Sequence, residues 1–88
     1  MTTTEKILKI LALCLEINNP DIPDVGKKKT AVFFEWNPHC NVVALRIHRG
    51  GWEKGMSPDI TMRTYTDTEP ERLDEMVKTL EQVKEGQI

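Results

Sequence analysis

Two runs of alternating apolar and polar residues constrain the fold of this chain most. They are VVALRIHR at residues 42–49 and DITMRTY at residues 59–65. A period of two is typical of β-strands that bury one face and leave the other open. The apolar side chains that would share the buried face are Val43, Leu45, Ile47, Ile60 and Met62.

One further strand and two helices complete the predicted architecture. TAVFFEW at residues 30–36 predicts a strand, and NPHCN at residues 37–41 predicts the turn into the next one. An apolar helical pattern runs from about Thr4 to Ile17 and ends before Pro20, which cannot continue a helix. A narrower apolar stripe near the end of the chain predicts an amphipathic helix.

Both helices carry signals for their ends. Thr2 with Glu5, and Thr68 with Glu71, have the T-x-x-E form of a capping box. Gly86 is the expected C-cap of the last helix. The order helix, strand, strand, strand, helix predicts one α+β domain over residues 1–88. We expect a three-stranded antiparallel meander with both helices packed on one face.

The first helix has a wider apolar face than a helix resting on one sheet needs. Its apolar residues cover about half of the helix circumference, and Leu13 interrupts the polar side next to Lys6. The helix is therefore either sandwiched between layers or in contact with another chain. We predict a homodimer, with Leu13, Ile10 and Ile17 as candidate interface residues.

The 88 residues carry a net charge of -2 that is unevenly distributed. Residues 27–54 contain six basic and two acidic side chains, and residues 67–85 contain seven acidic and three basic ones. This division suits a charged partner or head-to-tail association, although solvated surfaces give the same pattern. The longest apolar run has six residues and no basic leader is present. We therefore expect a soluble cytosolic protein that has no membrane partner.

Signatures of enzymes, metal sites and cofactor sites are missing from the sequence. It has no phosphate-binding or dinucleotide-binding glycine motif, and no zinc-ligand spacing. His39 and Cys40 are adjacent in a turn, where their side chains would not converge as base and nucleophile. Cys14 and Cys40 are expected to be reduced thiols. We predict a non-enzymatic protein without cofactor or metal.

The predicted open face of the sheet mixes aromatic and cationic side chains. Its candidate partner-binding residues are Phe33, Arg46, His48, Arg63 and Tyr65. Such a face could grip an acidic protein, pair with a copy of itself, or stack and neutralise a single-stranded nucleic acid. Aromatic residues also occur on wet sheet faces for cross-strand packing alone.

The loop at residues 49–58 is longer than a hairpin requires, and it contains Trp52. Trp52 either folds back over the small core or stays exposed as a candidate binding hot spot beside Arg49 and Lys54.

Two resemblances add to this interpretation. The element order, with NPHCNVVALRIHRGG at residues 37–51, resembles the double-stranded-RNA-binding domain, whose proline-histidine turn is matched by Pro38 and His39. That resemblance implies RNA binding, but TEPERLDE at residues 68–75 stands where the family has a basic cluster. An acidic segment there would repel phosphate.

The chain also resembles short uncharacterised proteins of Gram-positive phages and mobile elements. The features it shares are FFEW, a turn that contains His39, a GGW loop and an acidic last helix. This resemblance implies a location in the bacterial host cytosol and an accessory role through protein contact, such as inhibition of a host defence system. The alternative function is a nucleic-acid-binding module that uses the open face.

Overall fold

The computed structural model describes residues 1–19, 30–51, 54–55 and 57–86. Helix α1 spans Thr3–Asn18, and strands β1, β2 and β3 span Ala31–Asn37, Val42–His48 and Ile60–Tyr65. Helix α2 spans Arg72–Lys84. The strands pair antiparallel in the order β1-β2-β3, so the predicted α+β meander is confirmed.

The predicted capping box begins α1. The Glu5 amide donates to Thr2 Oγ1 at 3.1 Å, and the Thr2 amide donates to Glu5 Oε1 at 2.9 Å. The bonds from the Thr2 backbone and hydroxyl lower the pKa of Glu5. The helix ends at Asn19, which adopts a left-handed conformation with φ of 45°.

The second predicted capping box is wrong. The residue that precedes α2 is Glu71, and its side chain makes no capping bond. Thr68 is followed by turns closed by backbone bonds to the third residue back, such as the Arg72 amide donating to the Glu69 carbonyl at 3.1 Å. The segment therefore continues as turns before the helix starts. Gly86 follows α2 with φ of 75°, as expected of a glycine past a helix end.

Both helices cover one face of the sheet. Register places Leu45 opposite Phe34 on β1 and Met62 on β3, so all three side chains point toward the helices. The buried residues of this core are Ile10, Leu13, Cys14, Val32, Val43, Leu45, Ile47, Leu73, Met76, Leu80 and Val83. The opposite face of the sheet carries neither helix, and we call it the open face.

Surface contacts fix α1 in place. Lys6 Nζ lies 3.0 Å from Asp74 Oδ2 of α2. At the other end, the Asn18 side-chain amide donates to the Val32 carbonyl at 2.8 Å and accepts from the Val32 amide at 2.7 Å. The amide of Asn18 thus pairs with the edge of β1 as a neighbouring strand would.

The candidate dimer-interface residues are corrected by this packing. Ile10 and Leu13 are 0% and 3% exposed, and Ile17 packs against the same core. The reason is that α2 packs against the side of α1 that carries Lys6. Leu13 lies on the same side, so α2 covers it. The apolar residues of α1 that remain exposed are Leu8, Leu11 and Leu15.

Candidate binding surface on the open face of the sheet

The open face carries the side chains that alternate with the core residues. Opposed residues form rows across the three strands: Phe33, Arg46 and Thr61 in one row, then Glu35, Ala44 and Arg63, then Asn37, Val42 and Tyr65. The structure therefore brings together Phe33, Arg46, Arg63 and Tyr65, as the sequence predicted.

Arg46 sits between an aromatic ring and a carboxylate of β1. Its guanidinium carbon lies 5.8 Å from the centre of the Phe33 ring, which is a cation–π distance. Its Nη1 lies 3.8 Å from Glu35 Oε2, and both of these side chains are about half exposed. A solvent-exposed ion pair of this length contributes little, so Arg46 can exchange Glu35 for another acid at low cost.

Arg63 lies beside an aromatic ring and forms no ion pair with a described residue. Its guanidinium carbon lies 5.6 Å from the centre of the Tyr65 ring, two residues along the same strand. In the ranges that the structure describes, Arg63 has no carboxylate within salt-bridge distance. It is an exposed cation on an aromatic support, with all its hydrogen-bond donors available to a ligand.

A hollow lies above Ala44, beside Arg63 of the same row and Arg46 of the next row. Because Ala44 ends at its methyl group, a shallow space of about 300 Å³ opens above it. Arg46, Arg63, Glu35 and Thr61 border this space. We call it the Ala44 hollow. A second open depression of about 560 Å³ continues past β3 toward Arg72 of α2.

His48 is not the surface residue that its position in the strand predicts. It is 4% exposed, and Phe33 meets its ring edge-on with centroids 5.6 Å apart. Its Nδ1 atom is buried and has no hydrogen-bond partner among the described residues. Strand alternation assigns His48 to the open face, but it does not predict whether a residue at the end of a strand is buried by other parts of the chain. His48 therefore offers no exposed surface to a partner.

Two exposed apolar features were not predicted as binding residues. Trp36 lies on the helix side of the sheet, yet it is 41% exposed near the end of the edge strand β1. Leu8, Leu11 and Leu15 lie outward on α1. The spacing of these leucines by three and four residues was the sequence signal that could have indicated a second apolar stripe on α1. The candidate Trp52 lies outside the described residues.

The two thiols lie apart in the described part of the chain. Burial raises the pKa of the Cys14 thiol to about 11, and the exposed Cys40 donates weakly to the Asn37 carbonyl at 3.8 Å. Among the residues with described positions, no three His, Cys, Asp or Glu side chains group as a metal site. Helices long and apolar enough to cross a membrane are also missing from the described ranges.

Comparison with known proteins gives no relatives. No family model, curated protein or solved structure matches this chain. The two resemblances from the sequence therefore stay predictions.

Proposed function

We propose that this chain is a small non-enzymatic binding protein that acts by contact with a protein partner. Its open face would dock on an acidic surface of that partner. The observation that carries the proposal is Arg63, a cation held over the Tyr65 ring at 5.6 Å without a carboxylate of its own in the described ranges. A carboxylate of the partner would complete it.

The chemistry of this surface suits carboxylates. A guanidinium presents a planar fork of donors that matches a carboxylate with two parallel hydrogen bonds. Arg46 and Arg63 border the Ala44 hollow, as does Glu35, so an acidic side chain entering the hollow would meet both arginines and replace Glu35 as the partner of Arg46. Because Phe33 and Tyr65 support the two guanidinium groups, less side-chain freedom is lost on binding.

The types of residue on this surface also support a protein interface. Arginine and tyrosine are enriched among the residues that dominate binding energy. Tyr65 and Phe33 are exposed on this surface, while Val42 is buried. The phage resemblance also implies action by protein contact, and the accessory role that it implies stays a prediction.

A single-stranded nucleic acid is the second candidate, favoured by the exposed rings of Phe33 and Tyr65. Bases stack on such rings, and arginines neutralise phosphates. The open face, however, has two arginines and one glutamate, and the last helix begins with Asp74 and Glu75 in its first turn. A polyanion gains most of its affinity from several cations, so we favour an acidic protein.

A peptide-display selection tests the proposal with defined variants. The parent, Arg63→Gln and Lys78→Gln are each used as bait; Lys78 is exposed on α2, so its variant has the same net charge without altering the open face. We expect the parent and Lys78→Gln to enrich sequences rich in Asp and Glu, and Arg63→Gln to lose that enrichment.

Filling the hollow gives an independent variant. Ala44→Trp keeps both arginines but occupies the hollow beside them, so we expect it to lose the acidic peptides as well. Equal enrichment by all four baits, or no acidic enrichment by the parent, contradicts the proposal.

A labelled oligothymidine provides the nucleic-acid comparison. Binding that weakens at least tenfold between about 50 and 200 mM salt and requires Phe33 and Tyr65 would favour the second candidate.

A further inference from the structure

The two outer edges of the sheet are closed to different extents. Strands β1 and β3 form these edges, because β2 lies between them. At the β1 edge, the Asn18 side chain bonds both the amide and the carbonyl of Val32. Unpaired main-chain groups along an edge attract further strands, and proteins commonly cover them. Among the described residues, nothing covers the middle of the β3 edge in this way.

The ladder between β2 and β3 shows which main-chain groups of β3 point outward. The Thr66 amide donates to the Asn41 carbonyl at 2.8 Å, and these two residues continue the register of the ladder by one pair. In an antiparallel ladder every second pair exchanges hydrogen bonds. Thr61, Arg63 and Tyr65 therefore direct their amides and carbonyls away from β2.

Part of this outward row has no partner. The Tyr65 carbonyl accepts from the Glu69 amide at 2.8 Å, which closes the end of the strand. Within the described ranges, no group bonds the outward amide and carbonyl of Thr61 or those of Arg63. Two donors and two acceptors are therefore available side by side. An added antiparallel strand would pair with all of them.

The open depression of about 560 Å³ lies along this edge. Its border includes Thr61, Met62 and Arg63 of β3, together with Glu69 and Arg72. None of the described residues of β1 or β2 borders it. The depression therefore lies on the side of β3 away from β2, which is where a fourth strand would run.

The charges at this edge favour an acidic strand. Arg72 Nη1 lies 3.4 Å from Glu69 Oε2, so these two side chains pair with each other. Arg63 is the unbalanced charge, because it forms no ion pair with a described residue. In an added antiparallel strand, the residue opposite Arg63 places its side chain on the same face at a Cβ separation of about 4.5–5.5 Å. A glutamate or aspartate there would pair with Arg63.

A second copy of β3 suits this edge less well. A two-fold antiparallel pairing of β3 with itself puts the two Arg63 side chains on the same face, directly opposite or diagonal to each other. Like charges in such positions are destabilising. Arg63 therefore opposes self-pairing, whereas it attracts a strand of opposite charge.

The covered side of the edge favours apolar residues. Ile60 and Met62 pack against the core, and both are only half-buried. Successive side chains of an added strand alternate between the two faces of the sheet. The residue next to the acid would therefore lie beside Met62 and extend the covered face. An alternating acidic and apolar sequence fits both sides.

We propose that β3 accepts a fourth strand, an extended segment of the protein partner in which acidic residues alternate with apolar ones. The acidic side chains would lie on the open face beside Arg63, and the backbone would pair with Thr61 and Arg63. This inference rests on the proposed function, since it specifies how the acidic partner binds. It adds main-chain pairing, which a contact between side chains on the open face does not require.

N-methylated peptides separate these two claims. The probe is a fluorescent peptide of three Val-Glu repeats, and fluorescence anisotropy measures its affinity. N-methylation of the glutamates removes the donors that would face β3 but keeps the charge, so we expect at least tenfold weaker binding. N-methylation of the valines is the matched control and should have little effect, because those amides would point away from β3. Arg63→Gln should weaken the unmodified peptide at least tenfold, whereas Lys78→Gln should not.

Amide hydrogen exchange followed by NMR locates the peptide on the chain. The amides of Thr61 and Arg63 should exchange rapidly in the free chain and at least tenfold more slowly with the peptide bound. Thr61→Pro removes one outward donor without removing a bond to β2, so it should also weaken binding. Circular dichroism and a thermal melt establish that each variant is folded.

The outcomes distinguish this proposal from the proposed function. Equal binding of both methylated peptides, with binding lost in Arg63→Gln, would overturn strand addition and leave the proposed function intact. A parent chain that binds none of the acidic peptides would contradict both. A parent that dimerises without peptide, and becomes monomeric in Thr61→Pro by sedimentation equilibrium, would assign the edge to a second copy and overturn the proposal.

Discussion

The two faces of the sheet differ although the same strands build them. On the covered face of β2, Val43, Leu45 and Ile47 are all 0% exposed under the helices. On the open face of the same strand, Ala44 and Arg46 in the middle remain accessible, whereas the residues at the two strand ends are buried. Stability is concentrated on the first face, where side chains are close-packed. The second face can accept substitutions and a partner because few core contacts depend on it.

Different interactions also stabilise the two faces. The covered face relies on apolar burial between sheet and helices. The open face relies on pairs across or along strands, such as Phe33 with Arg46 and Tyr65 with Arg63. Those pairs orient side chains for contact, but each contributes only about 0.5–1 kcal/mol at an exposed site. The three predictions that follow test this division.

Leu45→Ala should have the largest effect, a loss of about 2–5 kcal/mol in the free energy of unfolding, because it leaves a cavity in the centre of the covered face. Urea denaturation followed by circular dichroism measures the loss. Thr61→Ala is the control on the open face and should cost about 1 kcal/mol or less. Equal losses for the two variants would contradict the division between the faces.

His48 should behave as a core residue although it belongs to the open face. His48→Ala should cost about 1–3 kcal/mol because it empties a buried space. His48→Phe should be within about 1 kcal/mol of the parent, or more stable, since an apolar ring removes the unpaired Nδ1. Urea midpoints compare the variants. A His48→Ala variant as stable as the parent would show that the His48 side chain is not packed as a core residue.

The smallest effect is expected at the ion pair between Glu16 and Lys84, which joins the two helices over the covered face. The hydrogen bond and the charge of Lys84 lower the pKa of Glu16. The contribution of the pair is therefore complete above the ordinary carboxyl value of 4.5, and it is lost as pH falls through the lowered pKa of the folded state.

The urea midpoint of Glu16→Gln should lie slightly below that of the parent at pH 6 and converge with it in strong acid. A double-mutant cycle with Lys84→Gln isolates the pair. A gap between the parent and Glu16→Gln that widened on acidification would reverse the assigned sign.

Local patterns were sufficient to predict most of the fold. The alternation in β2 assigned Val43, Leu45 and Ile47 to the buried face, and the capping box at Thr2 located the start of α1. The aromatic and cationic residues of the open face followed from the same alternation. These features depend on neighbours in the sequence, so the sequence alone carries them.

The failed predictions depend on packing between distant segments. Leu13 was assigned to a dimer interface because the position of α2 beside α1 is not encoded near it. His48 was assigned to the surface because alternation does not reveal which strand ends are closed over. The Thr68 box is missing because the chain makes turns such as the one closed by the Arg72 amide and the Glu69 carbonyl, so α2 begins only at Arg72. Predicting the Ala44 hollow would likewise have required the register of the three strands.

The most direct test of the account is amide chemical-shift mapping by NMR, with a short polyglutamate peptide added to the labelled protein and a polyserine peptide as control. We predict salt-sensitive shifts at Ala44, Arg46, Arg63 and Tyr65 with polyglutamate alone, and their loss in Arg63→Gln. Shifts confined to the helices, or an open face unaffected by the acidic peptide, would contradict the claim that this face is the binding surface.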